Sequence, residues 1–402
     1  MEGLKLNNAP AALFVGNSND ERKDLVAGGR LILSEAHGRK AAEVRGDKFE
    51  TRLNDAEYRE TNEKLTQRTM LFCAKIAAAA RGEDAPQTYG EFLKGGRKWA
   101  SDPNFLRCLQ GITSDVIAPM LPYTTSDALG ALAFVDKVGI GQTYEVNVLS
   151  NDIFLFQDSS WGASRSVPKN SLYSKSITIN PKPRSAAAKI KWYQLVGNEQ
   201  GGADIGRYYL ALAGGSNNKI LALWNGAMTT GVSNSAFVPT YLKKSGYNTA
   251  NWIALAKAVS QANGLPRESI IAYGDWAALS KVLPSGTAQD AALTYGLGPD
   301  WFSKGFLGTC MGVPLAPIQN TYVAGQVNLA SPTEMLSANT IYMLPRAGEG
   351  FAPVYIIFED DPIVLEMSPD QTGDMTIDIN MTISVEAKGV FGSKIGVMSS
   401  IS

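Results

Sequence analysis

One histidine, His37, occurs in a chain of 402 residues. A Ser-His-Asp triad, a Cys-His dyad or a His-containing zinc site would each have to be built around it, in the most charged stretch of the sequence. The three cysteines, Cys73, Cys108 and Cys310, lie far apart and form no CxxC pair. They support neither a zinc site nor a disulfide framework and read as small apolar residues in a reducing compartment. The densest carboxylate cluster is Glu359-Asp360-Asp361. It could hold a hard cation or supply an acid/base pair, but Pro362 follows at once, and the cluster reads as a strand end turning into solvent. Gly201-Gly202 and Gly214-Gly215 lack the GxGxxG spacing of a dinucleotide site, and without a Gly-Lys dipeptide there is no P-loop. No GxSxG nucleophile elbow occurs. The pairs Trp192-Tyr193 and Tyr208-Tyr209 could stack on bases or sugars, yet no basic groove adjoins them, so they read as core or interface residues. Lys182, Arg184, Lys189 and Lys191 form a local positive stripe that could meet phosphate and is read as meeting an acidic neighbour. These residues make no coherent catalytic set, which points to a structural protein whose activity is association rather than an enzyme. No metal or other cofactor is expected.

Composition agrees with a folded chain. It is 45% hydrophobic and 19% charged, with 37 basic against 38 acidic residues and a net charge of -1, so the whole-chain charge offers no footprint for nucleic acid. No run of 18 apolar residues occurs and the first residues lack a cationic start before an apolar core, so neither a membrane span nor a secretory leader is expected. Charge is concentrated between Asp20 and Arg68, where Glu35/Arg39, Asp55/Arg59 and Glu60/Lys64 are acid-before-base pairs at i,i+4. With apolar positions such as Phe49 and Leu53 sparse, the stretch predicts exposed, charge-laced helices that continue into Met70–Arg81 and have no core of their own.

The elements that would carry any site follow from periodicity. Phe105–Ala118 predicts an apolar helix stopped by Pro119 and Pro122. After Asp136 the period changes to two: Tyr144, Val146 and Val148 alternate with polar residues, Ile153–Phe156 is a short apolar run, and Asp158–Asn170 is a long polar loop. Alternation returns at Ser176–Ile179 and Lys189–Val196, so 141–196 predicts a two-stranded excursion that needs a partner surface, another subunit, to be stable. Asp204 caps a predicted helix through Ala213 that Gly214-Gly215 interrupts and Lys219–Trp224 resumes. From Thr249 a helix with Trp252, Leu255, Ala256 and Val259 on one face runs to Gly264. A strand at Ser269–Tyr273 and a helix capped by Asp275, with Trp276, Leu279 and Val282, complete an α/β unit. Short strands are predicted at Val313–Pro317, Thr340–Leu344 and Pro353–Phe358. Asp374–Ala387 then alternates without error for 14 residues, with Met375, Ile377, Ile379, Met381, Ile383, Val385 and Ala387 on one face. On the other face lie Asp374 and Asp378 among Thr376, Asn380, Thr382, Ser384 and Glu386. At about 3.3 Å per residue it would span ~46 Å, which predicts a ribbon too long for its own compact core.

In this order the elements resemble the major capsid proteins of tailed bacteriophages, which share the HK97 fold. The resemblance covers about 300 residues and is carried by element order, by IIAYGDWAALSKVL (Ile270–Leu283), by GFLGTCMGVPLAP (Gly305–Pro317) and by Asp374–Ala387 followed by Gly389 and Gly392. It implies an α+β, HK97-like fold. Residues 1–100 would form a charged helical N-terminal arm, 101–136 the entry to the peripheral (P) domain and 137–196 the E-loop β-hairpin. The P-domain spine helix would occupy 197–235, the axial (A) domain 236–345 and the closing strands 346–402. It further implies self-assembly into an icosahedral or prolate shell around a viral double-stranded DNA genome, in the virion, after assembly in the host cytoplasm. Partners would be copies of itself as hexamers and pentamers, a portal, scaffold or decoration proteins, and DNA contacted without sequence preference; no membrane is implied. The assembly contacts would be Trp161, Arg165, Lys169 and Asn170 of the loop together with Lys182, Arg184, Lys189 and Lys191. Lys169 and Asn170 lie where some relatives crosslink, a property not expected of this chain. The rival with the same fold is an encapsulin-type nanocompartment shell, and the rival of another class is a carboxylate-dependent hydrolase using Glu359 and Asp361. A tail or adhesion protein would show repeats or heptads, and neither occurs.

Overall fold

The computed structural model of the chain describes residues 55–117, 125, 129, 132–149, 174–192, 205–283, 304–345, 352–369 and 376–401. Helices α1 (Asp55–Arg81), α2 (Tyr89–Lys94), α3 (Arg97–Ala100) and α4 (Pro103–Ile117) precede strands β1 (Ala133–Val138), β2 (Tyr144–Leu149), β3 (Ser174–Ile179) and β4 (Lys182–Lys191). Helix α5 (Ile205–Ser233), β5 (Lys243–Ser245), α6 (Thr249–Asn263), β6 (Ile270–Gly274) and α7 (Trp276–Ser280) follow. Strands β7 (Thr309–Cys310), β8 (Val313–Pro317), β9 (Ile341–Pro345), β10 (Val354–Pro369), β11 (Thr376–Gly389) and β12 (Gly396–Ser399) complete an α+β chain. Among the described residues no helix is long and apolar enough to cross a membrane. His37, Phe49, Leu53, Ile153–Phe156, Trp161, Arg165, Lys169, Asn170, Tyr193, Asp204, Asp374 and Met375 lie outside the described residues.

Two compact units divide the chain, Met1–Tyr123 with Lys182–Asn217 and Asp361–Ser384, and Thr124–Pro181 with Asn218–Asp360 and Val385–Ser402. In the first, the second half of α1 departs from the expected exposed helix. Leu65, Met70, Phe72, Cys73, Ala74, Ile76, Ala77 and Ala78 are all buried. The charged pairs end at Lys64, and the following TQRTMLFCAKIAAAA places apolar or small side chains on enough faces to enclose the helix. Helix α4 begins as its sequence dictates: Asp102 Oδ1 accepts hydrogen bonds from the N–H groups of Asn104 (2.8 Å) and Phe105 (3.4 Å), and Pro103 takes the first helical position. Around it Phe92, Trp99, Phe105 and Trp192 form an aromatic cluster with centroid distances of 5.6–6.2 Å. Trp192 is thereby a core residue, with 3% of its surface exposed.

In the second unit a six-stranded sheet runs in the order β5-β12-β9-β6-β8-β7. β6 pairs parallel with β8 and antiparallel with β9, the α/β arrangement expected from the Ile270–Leu283 segment. Asp275 caps α7 by accepting the Ala277 N–H at 2.8 Å. Helix α6 buries Trp252, Leu255, Ala256 and Val259, is capped by Asn248, and ends at Gly264 with φ 63°. It lies so close to β12 that a side chain at Gly396 would come within 2.6 Å of Val259. A second sheet holds β1 in parallel with the first half of β10, in register from Ala133↔Val354 to Val138↔Glu359.

Two other expectations fail. Gly214-Gly215 does not break the helix: α5 runs continuously for 29 residues, ~43 Å at about 1.5 Å per residue. Ala213, Ser216, Ile220, Trp224, Met228 and Gly231 form a buried stripe at spacings of three and four, while both glycines of the pair are exposed, so burial on one face overrides their low propensity. The long ribbon also does not outgrow its own chain. Ile377, Ile379, Met381, Ile383 and Val385 are no more than 4% exposed within a single copy. The alternation was legible, but what would cover it was not.

Candidate functional site

Three segments hold the expected contact residues. The first is the hairpin β2–β3, paired antiparallel from Tyr144↔Ile179 to Leu149↔Ser174. Its base does not wait for another subunit. Ile177 and Ile179 are buried with Tyr355, Ile357 and Val390, and Phe134, Val138, Tyr144, Val146 and Val148 pack against that cluster. Lys388 Nζ donates to the Thr178 carbonyl at 2.8 Å. The expectation of a hairpin needing an outside partner is thus corrected for its base. The β-branched and aromatic residues of β2 and β3 pair across the strands and face β1 and β10 of the same unit. Ile140, before the hairpin, is 72% exposed. The loop contacts Trp161, Arg165, Lys169 and Asn170 are outside the described residues.

The second segment is β4, which carries Lys182, Arg184, Lys189 and Lys191. Alternation predicted a strand over 189–196. The strand instead covers 182–191, and Trp192 turns into the aromatic core. No residue of β4 is buried; Ser185, Ala186, Ala187, Ala188, Lys189 and Lys191 are exposed. β4 is the last strand in the order β1-β10-β11-β4. Its neighbour is β11, which it meets through Ser185 Oγ and Thr382 Oγ1 at 2.8 Å and through Lys189 Nζ and Asp378 Oδ1 at 3.5 Å. The acidic neighbour expected for the stripe is therefore, for Lys189, an aspartate of the same chain. That side chain is still 64% exposed, where an ion pair is worth little.

The third segment is the carboxylate cluster. The strand expected to stop at Pro362 continues to Pro369. β1 reaches only Glu359, so Pro362 lies beyond the ladder with β1, at an edge that no strand among the described residues covers and where a missing N–H costs little. Glu359 Oε1 accepts the Gly141 N–H at 3.4 Å. Because successive strand residues point to opposite faces, the neighbours Glu359 and Asp360 diverge. Past them Leu365 is buried, whereas Val364 is 54% exposed and Glu366 is exposed. Periodicity alone had not shown that this acidic strand end stands on an open sheet edge. The signal present in the sequence was the apolar run Ile363–Leu365, continuing past the proline.

Burial works against a nucleophilic role for Cys73 and Cys310. Burial pushes the Cys73 thiol well above its ordinary range, with Cys108 beside it adding to the effect. Burial likewise raises Cys310, whose Sγ lies 3.8 Å from the Tyr247 hydroxyl, and raises Tyr247 itself. Among the described residues no group of three His, Cys, Asp or Glu side chains gathers as a metal site.

No protein-family model and no curated protein sequence matches this chain. Its arrangement is similar to that of several solved virus structures. One is the mature capsid of bacteriophage PhiM1, at 10% identity and TM-score 0.44, covering 68% of this chain and 86% of that one. Another is the capsid of cyanophage P-SCSP1u, at 10% identity and TM-score 0.42, covering 67% and 86%. A third is a chain of the satellite phage P4 procapsid, at 11% identity and TM-score 0.42, covering 71% and 90%.

Proposed function

We propose that this chain is the major capsid protein of a tailed bacteriophage, which assembles with copies of itself into a closed shell around double-stranded DNA. The observation that carries the reading is β4. Fixing the backbone of a residue costs about 1–2 kcal/mol, so a ten-residue strand costs roughly 10–20 kcal/mol to order. Yet β4 buries none of its side chains, and among the described residues its strand ladder is with β11 alone. An ordered, exposed end strand of this length is a template for another chain. The remaining elements suit the same role: a hairpin with a long polar loop, a 29-residue helix, an α/β unit, and closing strands of 16 and 14 residues. Near-zero net charge lets many like subunits lie side by side without strong mutual repulsion.

On this reading the subunits gather as rings of six and five. A portal and scaffold or decoration proteins are further partners, and contact with DNA is made without sequence preference. The contacts of the E-loop are Trp161, Arg165, Lys169 and Asn170, reaching over adjacent copies. The test is to express the full chain and examine it by sedimentation and negative-stain microscopy. Closed particles of uniform diameter are the expected outcome, and a chain that stays monomeric at every concentration would refute the proposal. Particles from infected cells that hold enzyme cargo in place of DNA would refute the genome-enclosing part.

A further inference from the structure

We propose that β4 of one copy pairs with the far end of β10 of the next, so that one sheet continues from subunit to subunit. The inference rests on the reading of the chain as a shell subunit and names a contact that closes the shell.

Within the first unit the strand order is β10-β11-β4, with β10 and β4 at its two ends. From residue 361 onward β10 has outrun β1, whose register stops at Glu359. The two ends carry opposite charge. β4 bears Lys182, Arg184, Lys189, which meets Asp378 of its own chain, and Lys191, whereas β10 from residue 361 onward carries Asp361 and Glu366. Neighbouring strands lie about 4.8 Å apart, so two strands separated by a third stand roughly 10 Å apart and cannot pair with each other in one copy. A pairing between these two ends therefore joins two molecules.

Each end also offers a run of backbone donors. Pro362 and Pro369 bracket six residues of β10 that retain their N–H groups, and Arg184–Lys191 of β4 follows Pro183. Ala186, Ala187 and Ala188 are small and exposed, which allows close approach, and the approaching strand would cover Val364. Because different surfaces meet, the contact is head-to-tail, the kind that generates rings when the rotation closes.

The experiment uses the full chain and compares E366K, K191E and the double variant E366K/K191E. Each changes an exposed charge, and a melting curve like wild type shows that folding is intact. Each single reversal is expected to reduce the yield of sedimenting particles at least tenfold, and the double variant to restore it to within twofold of wild type. A187P and A186P form a backbone control. Adjacent residues direct their N–H groups to opposite sides, so one of the two removes an N–H aimed at β11 and the other removes one aimed outward. The outward one should melt normally and fail to assemble. Wild-type particles that form equally well from E366K and from K191E, or a double variant no better than either single, would overturn the edge contact and leave the capsid reading standing. A wild-type chain that never associates would overturn both.

Discussion

Arg81 Nη1 stands 2.6 Å from Asp102 Oδ2, joining the last residue of α1 to the residue that caps α4. The carboxylate is almost wholly buried, and the guanidinium also lies 5.1 Å from the centre of the Trp99 ring. One aspartate thus supplies a helix cap and the partner of a shielded cation. Asp102→Ala is expected to cost ~2–4 kcal/mol, because it leaves the arginine with only the exposed Glu83 at 3.3 Å and the first turn of α4 without its acceptor. Asp102→Asn keeps an acceptor oxygen for the cap and should cost less. Urea unfolding of both variants checks the order, and an alanine variant within about 1 kcal/mol of wild type would mean the pair contributes nothing.

The glycines of α5 should respond in opposite directions. A side chain at Gly214 or Gly215 meets nothing within 4 Å, so Gly→Ala at either position should stabilise by about 0.5–1 kcal/mol through helix propensity. At Gly231 an added Cβ would stand 1.8 Å from the Phe391 ring, which is itself stacked on Phe237 at 5.4 Å. Gly231→Ala should destabilise by ~1–3 kcal/mol, since the ring has little room to move. Thermal melts of the three variants separate the two effects by sign.

Alkaline pH should weaken the fold. Burial raises Cys73, Cys310, Tyr247 and Tyr342, so the folded chain holds protons that the unfolded chain releases. Stability from these groups is fully present below the ordinary thiol and phenol values of 9.0 and 10.0 and declines as pH rises beyond them. The slope is up to ~1.4 kcal/mol per pH unit for each group. Denaturant midpoints between pH 8 and 11 measure it, and Tyr247→Phe should flatten it. At the acid end Glu83 is lowered by its hydrogen bond from Lys98, so its contribution is lost as pH falls; the pair lies at the surface and little change is expected there. The same burial should leave all three cysteines unreactive to a thiol reagent at pH 8 until denaturant is added.

The hairpin should divide cleanly into a base that supports the fold and a loop that supports assembly. Ile179→Ala opens the cluster with Tyr355 and Ile357 and should cost ~2–5 kcal/mol. Replacing residues 159–173 by a short Gly-Ser link should leave the melting temperature unchanged and prevent closed particles. Normal particles from that deletion would remove the loop from the assembly contacts.

Local chemistry was legible where one or two residues decide the outcome. Asp275, Gly264 and the face Trp252, Leu255, Ala256, Val259 appear as read, because caps, turns and a helical stripe are short-range. The alternation at Tyr144–Val148 and Ile377–Val385 was read correctly as strand for the same reason. What covers those faces was not legible: Ile179 rests on Tyr355 and Ile357, nearly two hundred residues away, and no local pattern announces that pairing. The run of α5 through Gly214-Gly215 and of β10 through Pro362 has the same origin. Long-range burial and an unpaired edge decided both against local propensity. The basic stripe was visible in the sequence, but not its place on the strand that ends the sheet.

Pro362 and Pro369 have a consequence for the subunit before it meets its neighbours. An extended hydrophobic strand with free N–H groups along its whole length would recruit any unfolded chain in a crowded cell and grow into fibres. On β10, two residues that cannot donate confine such recruitment to a six-residue slot.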